Sequence, residues 1–396
     1  MPMIYVTVAG ETFGIKTAKQ EAMLHRMEKN YGPFMTADTV PAEKVLFIAD
    51  IDRTVTVPAG EPLKTFDYAL TEDAARLRIY PDRCLLSITH KASSKTFSIA
   101  CPLRSDSPDD TPAYPADLTM QGIAPPGHIL DHLLIFALSV AAVGKGILLI
   151  HASTIRYRGK AVMFLGESGT GKSTHSRMWL ENIEGSTLLN DDAPAVRISA
   201  DSTTAYGTPW SGKTPCYRAE HYPLAALVRI RRAPYNQITR LNTLQAFGAV
   251  LPSCLPTLQQ DDRMLDILCD ALSHMLSAVP VYTLDCLPNA DAARVSSEAL
   301  SATHVSNEQP RSGRLNLTGA GLFSFPPLPQ KPFITECHLP VGTVPFLSVS
   351  APTPFLLKRF MVRSTPWVPN DRTASDAIPM TLRSVSFSSG SHSPST

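Results

Sequence analysis

The sequence predicts an α/β fold: a mixed sheet carrying a phosphate loop, preceded by a small α+β module and followed by a tail of low order. Three observations predict it. An apolar run at 161–165 leads into Gly166-Glu167-Ser168-Gly169-Thr170-Gly171-Lys172-Ser173, and a helix-like stretch comes next at 176–181. Further apolar runs of strand length surround that unit at 147–153, 186–192, 225–230 and 281–284. Beyond about residue 304 the character changes, with thirteen of the chain's 34 prolines and only four acidic residues between 305 and 396.

Residues 1–125 read as the N-terminal module. Runs at 4–8, 45–49, 76–80, 84–88 and 95–100 have strand character, and Pro81-Asp82-Arg83 sits between two of them as a hairpin turn. Residues 17–29 have helical character. His25 and His90 read as ordinary surface histidines. A Pro-rich polar connector at 105–115 separates the module from the next domain.

Residues 126–303 read as the phosphate-loop domain. Its longest apolar run, 133–143, reads as a buried helix, shorter than the roughly 20 apolar residues that span a bilayer. The strand at 147–153 ends in His151, and Arg156-Tyr157-Arg158-Gly159-Lys160 turns the chain into the strand before the loop. The strand at 186–192 ends in Asp191 and Asp192. Gly207-Thr208-Pro209-Trp210-Ser211-Gly212-Lys213 reads as a loop of small residues with a basic tip. Helices fill 243–277 and 291–300. Residues 304–396 form the tail, to which no function is attached.

The loop matches the pattern G-x-x-x-x-G-K-S/T. Its three glycines let the backbone fold into a concavity that points amides at phosphate oxygens. Lys172 can reach the β- and γ-phosphates, and the Ser173 hydroxyl can ligate Mg²⁺. Strand, loop, helix is the setting this chemistry needs, because the helix N-terminus then faces the anion. The cofactor-binding set is therefore Gly166, Glu167, Ser168, Gly169, Thr170, Gly171, Lys172, Ser173 and Thr174, with ATP and Mg²⁺ as cofactors. Glu167 and Thr170 can equally face solvent.

Phosphoryl transfer also needs a metal carboxylate and a group that takes the acceptor's proton. Asp191 and Asp192 end the next expected strand; if that strand runs parallel beside the loop strand, they reach the phosphates. One would hold the metal, with Ser173 and Asp192 the expected pair, and the other would act as base. His151 can contact a phosphate or tune an acid, or simply bond to backbone. Lys213 can neutralise transferred charge, or stay in solvent. Arg218 is a weaker candidate of the same kind. The triplet Arg229, Arg231 and Arg232 reads as a strand edge or substrate contact.

The series His151-Ala152-Ser153, the loop 166–173 and Asn190-Asp191-Asp192 resembles the C-terminal catalytic domain of HPr kinase/phosphorylase. It looks closest to a bacterial branch common in Bacteroidetes that shares the loop G-x-P-W-S-G-K, here Gly207 to Lys213. The resemblance spans roughly residues 127–300 and implies a nucleotide domain like that of phosphoenolpyruvate carboxykinase. It implies that Lys172 and Ser173 meet nucleotide and metal and that Asp191 or Asp192 serves as base. The family's V-K-P-G-R-N type run is not recognisable here, which leaves the acceptor and any phosphorolysis open.

Composition bounds the alternatives. The net charge of +1 gives no reason to expect nucleic acid or an anionic membrane as partner. Seven scattered cysteines without a C-x-x-C suggest neither a disulfide framework nor a zinc site, and fit a reducing cytoplasm. The start of the chain lacks the pattern of a signal peptide. The expectation is an ATP-dependent kinase acting on a hydroxyl of a protein or small molecule, with homo-oligomerisation left open. The alternatives are a nucleotide-binding switch without efficient transfer, or a carboxykinase, which would need a second Lys and His metal site.

Overall fold

A computed structural model describes residues 3–36, 39–51, 55–70, 73–103, 115–116 and 126–305. The expected tail beyond residue 305, and the connector up to residue 114, lie outside the described residues, while residues 304 and 305 end the last helix. The described part is mixed α/β.

The N-terminal part opens with a hairpin of β1 (Met3–Val8) and β2 (Glu11–Lys16), turned by Ala9 and Gly10 at φ 52° and 80°. Helix α1 (Gln20–Tyr31) buries Met23, Met27 and Tyr31. β3 (Met35–Thr36) and β4 (Val45–Asp50) extend that sheet. β5 (Lys64–Ala69), β6 (Asp73–Ile79), β7 (Arg83–His90) and β8 (Lys95–Pro102) form a separate antiparallel meander. β6 shows why: it alternates buried and exposed side chains, the period-2 pattern of a sheet with one wet face. β9 (Pro115–Ala116) closes the first sheet in the order β3-β1-β2-β4-β9.

Helix α2 (Gly127–Ala142) is apolar on nearly every side. With the short turn that continues it to Lys145 it reaches 19 residues at a mean hydropathy of 1.6, so length and composition alone would let it span a bilayer. This corrects the shorter span expected from the sequence. Here it packs against β4, β7 and β8 and against the strand after it, with Leu133, Leu134 and Leu138 fully buried. An all-apolar helix is stable in water when it is walled in this way. The resulting core runs without a break from Ile4 to Val281. The boundary near residue 125 therefore divides the sequence but not the hydrophobic core.

The rest of the chain builds a nine-stranded sheet. Its strands are β10 (Ile147–Leu149), β11 (Ala152–Tyr157), β12 (Lys160–Leu165), β13 (Thr187–Asp192), β14 (Ala195–Ile198), β15 (Thr203–Tyr206), β16 (His221–Arg232), β17 (Gln237–Arg240) and β18 (Val281–Cys286), with α3 (Lys172–Asn182) between β12 and β13. Helices α4 (Thr243–Val250) and α5 (Asp262–Ala278) precede β18 (Val281–Cys286), and α6 (Ala290–Val305) ends the described chain. Asn242 and Gln245 form a capping box on α4, and the Asp261 side chain accepts from the Arg263 and Met264 amides at the start of α5.

Two details of this sheet set the site. β11 and β12 are a hairpin whose tip, Arg158-Gly159, has φ of 49° and 71°, the paired positive values that suit strand twist. β11 is antiparallel to both β12 and β13, whereas β16 is parallel to β12 and to β18. The carboxyl ends of β12, β13, β16 and β18 therefore share one rim, and β11 begins there.

Candidate active site

The apolar strand β12 stops at Leu165, and the chain turns through Gly166 to Gly171 into α3. Gly166, Gly169 and Gly171 have φ of 154°, 79° and 111°. A side chain at Gly166 would also collide with the Thr170 hydroxyl. These are conformations glycine adopts at little cost. No side chain caps α3 among the described residues, so its first amides are placed to receive an anion.

Lys172 opens α3 and is buried, its ammonium donating to the carbonyls of Gly166 (2.9 Å) and Glu167 (3.2 Å). Burial pulls its pKa down from 10.5 to about 8, against the pull of Asp192 and Asp191. One residue on, the Ser173 hydroxyl donates to Asp191 Oδ1 at 2.9 Å. Asp191 Oδ2 lies 3.4 Å from the Thr214 amide.

The two aspartates arrive by a route the sequence did not suggest. β13 is not the neighbour of β12; β11 lies between them, with Ala152 opposite both Leu165 and Asp192. The aspartates still reach the loop because two reversals restore the strand direction. The expected strand at 147–153 is likewise two strands. β10 pairs with β14, the chain then shifts across the sheet, and β11 begins at Ala152. His151 sits in that shift, before β11 rather than at the end of a strand, its amide donating to the Ser253 carbonyl at 2.7 Å.

His151 Nε2 is 3.4 Å from Asp192 Oδ1, and both side chains are buried. Burial, reinforced by the Lys172 charge, pushes the imidazole well below its ordinary pKa and keeps it neutral. Burial raises the Asp192 carboxyl from 3.8 to about 7, with Lys172 opposing and Asp191 adding to the rise. Asp192 also has a φ of 143°, in the region that a side chain occupies at a cost. The pair thus divides its partners. Asp191 meets Ser173, and Asp192 meets His151. Of the two aspartates it is Asp191 that takes the Ser173 hydroxyl bond, and Ser173 and Asp192 line the same cleft.

The loop from Gly207 to Lys213 folds over these acids. The Asp191 carbonyl accepts from the Gly212 amide and the Ser211 hydroxyl, and Ser211 pairs with Asp192 as an isolated bridge. A side chain at Gly212 would come within 3.0 Å of the Asp191 carbonyl and 3.3 Å of Asp192 Cβ, so glycine permits the approach. Asn190 clamps the loop from below: its amide nitrogen donates to Thr208 Oγ1 (3.2 Å) and the Trp210 carbonyl (2.9 Å), while its oxygen accepts from the Ala193 amide. Trp210 in turn donates to Tyr31 Oη at 2.8 Å, and Tyr31 donates to Asp131 at 2.6 Å. The N-terminal part thereby braces the loop.

Lys213 is exposed at the lip of a cleft of about 270 Å³ lined by Gly171, Lys172, Ser173, Asp191, Asp192 and Arg232, among others. Thr174 and Ser168 also line it, while Glu167 is exposed and lies 3.6 Å from Arg229. Arg218 stands apart, paired at 3.8 Å with Glu220. Of the arginine triplet, Arg231 pairs with Asp285 on β18, whereas Arg232 donates to the carbonyls of Gly169 and Thr170. Arg232 is the residue the sequence undervalued. The available signal was its place at the end of a strand parallel to β12, which periodicity alone does not reveal.

No family model matches the chain, and no curated protein matches it. Among solved structures it is similar to one described as the Hpr(Ser) kinase/phosphatase from Coxiella burnetii, at 10% identity and a TM-score of 0.24, covering 41% of this chain and 99% of that one. A likeness of that size carries no argument about chemistry, which has to come from the site itself.

Proposed function

We propose that the chain is an ATP-dependent, Mg²⁺-requiring phosphotransferase of the HPr-kinase-like type, acting on a hydroxyl of a protein or small molecule. One observation carries the reading. A glycine loop at a helix N-terminus, a buried lysine, a serine hydroxyl and two buried aspartates with different partners lie on one rim of one sheet.

The residues fit both cofactors. A Ser173 hydroxyl bonded to a carboxylate is a hard oxygen pair of the kind Mg²⁺ takes, so Ser173 and Asp191 are the assigned ligands. Bound there, the ion would neutralise phosphate charge. Lys172 and the loop amides would hold the polyphosphate, and Arg232 and Lys213 would add positive charge at the cleft. Asp192 is the assigned base. Its pKa of about 7 matches the working pH, which is the condition for efficient proton transfer. The acceptor oxygen would bond to the γ-phosphorus as the bond to the bridging oxygen breaks, with its proton passing to Asp192 and ADP leaving. His151, neutral beside Asp192, orients that carboxylate without cancelling its charge.

The test uses γ-labelled ATP with Mg²⁺, purified protein and a lysate or metabolite extract. Label should appear on a discrete acceptor, and replacing Asp191 and Asp192 together by Asn should stop transfer while nucleotide still binds. Transfer that survives in that double variant would remove the base assignment. Nucleotide binding with no transfer in the wild type would favour a switch.

A further inference from the structure

A second constellation lies away from the cleft. Asp73 begins β6, His90 ends β7, and the two face each other across the strand pair. His128, in the first turn of α2, comes down on them from the helix side. One ligand atom from each of the three lies within 4.8 Å of the other two.

The groups are held in place. The Asp73 side chain is 2% exposed, and its two oxygens are divided: Oδ1 accepts from the Lys91 amide at 3.0 Å, and Oδ2 lies 2.8 Å from His128 Nε2. His90 Nδ1 lies 2.8 Å from Ser93 Oγ, so the hydroxyl fixes the ring. His132, one turn further along α2, bonds through Nδ1 to the His128 carbonyl. Support of a ligand ring, as Ser93 gives His90, and of a ligand carboxylate, as the Lys91 amide gives Asp73, is the usual setting of a metal ligand.

We propose that Asp73, His90 and His128 bind a first-row divalent ion, with Zn²⁺ the best match. Two imidazoles and one carboxylate suit zinc, and three protein ligands leave a fourth position for water. Zinc bonds of about 2.0–2.1 Å place tetrahedral ligand atoms about 3.3 Å apart. The three ligand atoms lie within 4.8 Å of one another, so binding draws them together by about 1.5 Å at most. Binding would replace the hydrogen bond between Asp73 and His128 by two bonds to the ion. The ion would pin the four-stranded sheet to α2, the helix that also packs on β10 of the phosphate-loop sheet. The site is independent of the cleft, and it stands or falls apart from the kinase assignment.

The test is a zinc titration of full-length protein stripped with chelator, in competition with a chromogenic zinc indicator. Wild type should bind one equivalent and gain thermal stability from it. His90→Ala and His128→Ala should each lose that equivalent, and Ser93→Ala should weaken it by about tenfold. Mg-ATP affinity should be unchanged in all three, and circular dichroism reports whether each is folded. His90 and Ser93 lie at the β7 turn, so their variants keep the test decisive if His128→Ala fails to fold. No zinc equivalent in the wild type, or an equivalent that survives His90→Ala and keeps its full affinity in Ser93→Ala because cysteines hold it, overturns the proposal.

Discussion

Asp192→Asn isolates the electrostatic strain of the cleft. In the native state the carboxyl titrates at about 7, against 3.8 ordinarily, because burial penalises its charged form more than Lys172 rewards it. A raised native pKa means that the folded protein holds a proton the unfolded chain has released. Stability from this group is fully present below pH 3.8 and is lost as pH climbs through 7. The rise is worth about 4 kcal/mol once the carboxylate is ionised. Asn keeps the shape and tolerates the positive φ better than most residues, but it has no charge to bury. Its removal also leaves the Lys172 ammonium with one fewer counter-charge, which offsets part of the gain. The net expectation is a variant more stable than wild type by about 2 kcal/mol at pH 8, with the difference vanishing near pH 4. Urea denaturation followed by circular dichroism at intervals from pH 4 to 8 measures it. Parallel stability curves for the two proteins would refute a buried, proton-holding Asp192. A difference that grew toward acid would refute the sign.

Two further outcomes concern the covering loop. Gly212→Ala pushes against the Asp191 carbonyl and Asp192, so transfer should fall at least tenfold while Mg-ATP affinity, read by calorimetry, changes little. Trp210→Phe leaves the buried Tyr31 hydroxyl without its donor and should cost about 1–3 kcal/mol in urea melts. It should also lower transfer, because the loop loses its tie to α1; stability loss with unchanged transfer would confine Trp210 to packing.

Much of this was legible in the residues because it is local. The loop 166–173 declares itself by glycines whose positive φ the structure requires, and the strand before it and helix after it are read from short-range pattern. The Pro81-Asp82 turn is of the same kind. The features that stayed hidden depend on strand order. That β11 lies between β12 and β13, that 147–153 breaks at His151, and that Arg232 returns to the loop are all set by pairings between distant segments. The metal cluster is hidden for the same reason: Asp73 and His90 meet by hairpin register, but His128 joins them only through the packing of α2.

The most direct measurement is isothermal calorimetry of Mg-ATP on wild type and Lys172→Ala, with circular dichroism as the control for folding. The assignment predicts Mg-dependent binding by the wild type and none by the variant at the same concentrations. Equal affinity in two folded proteins would contradict it, because the polyphosphate would then sit somewhere other than the loop at the head of α3.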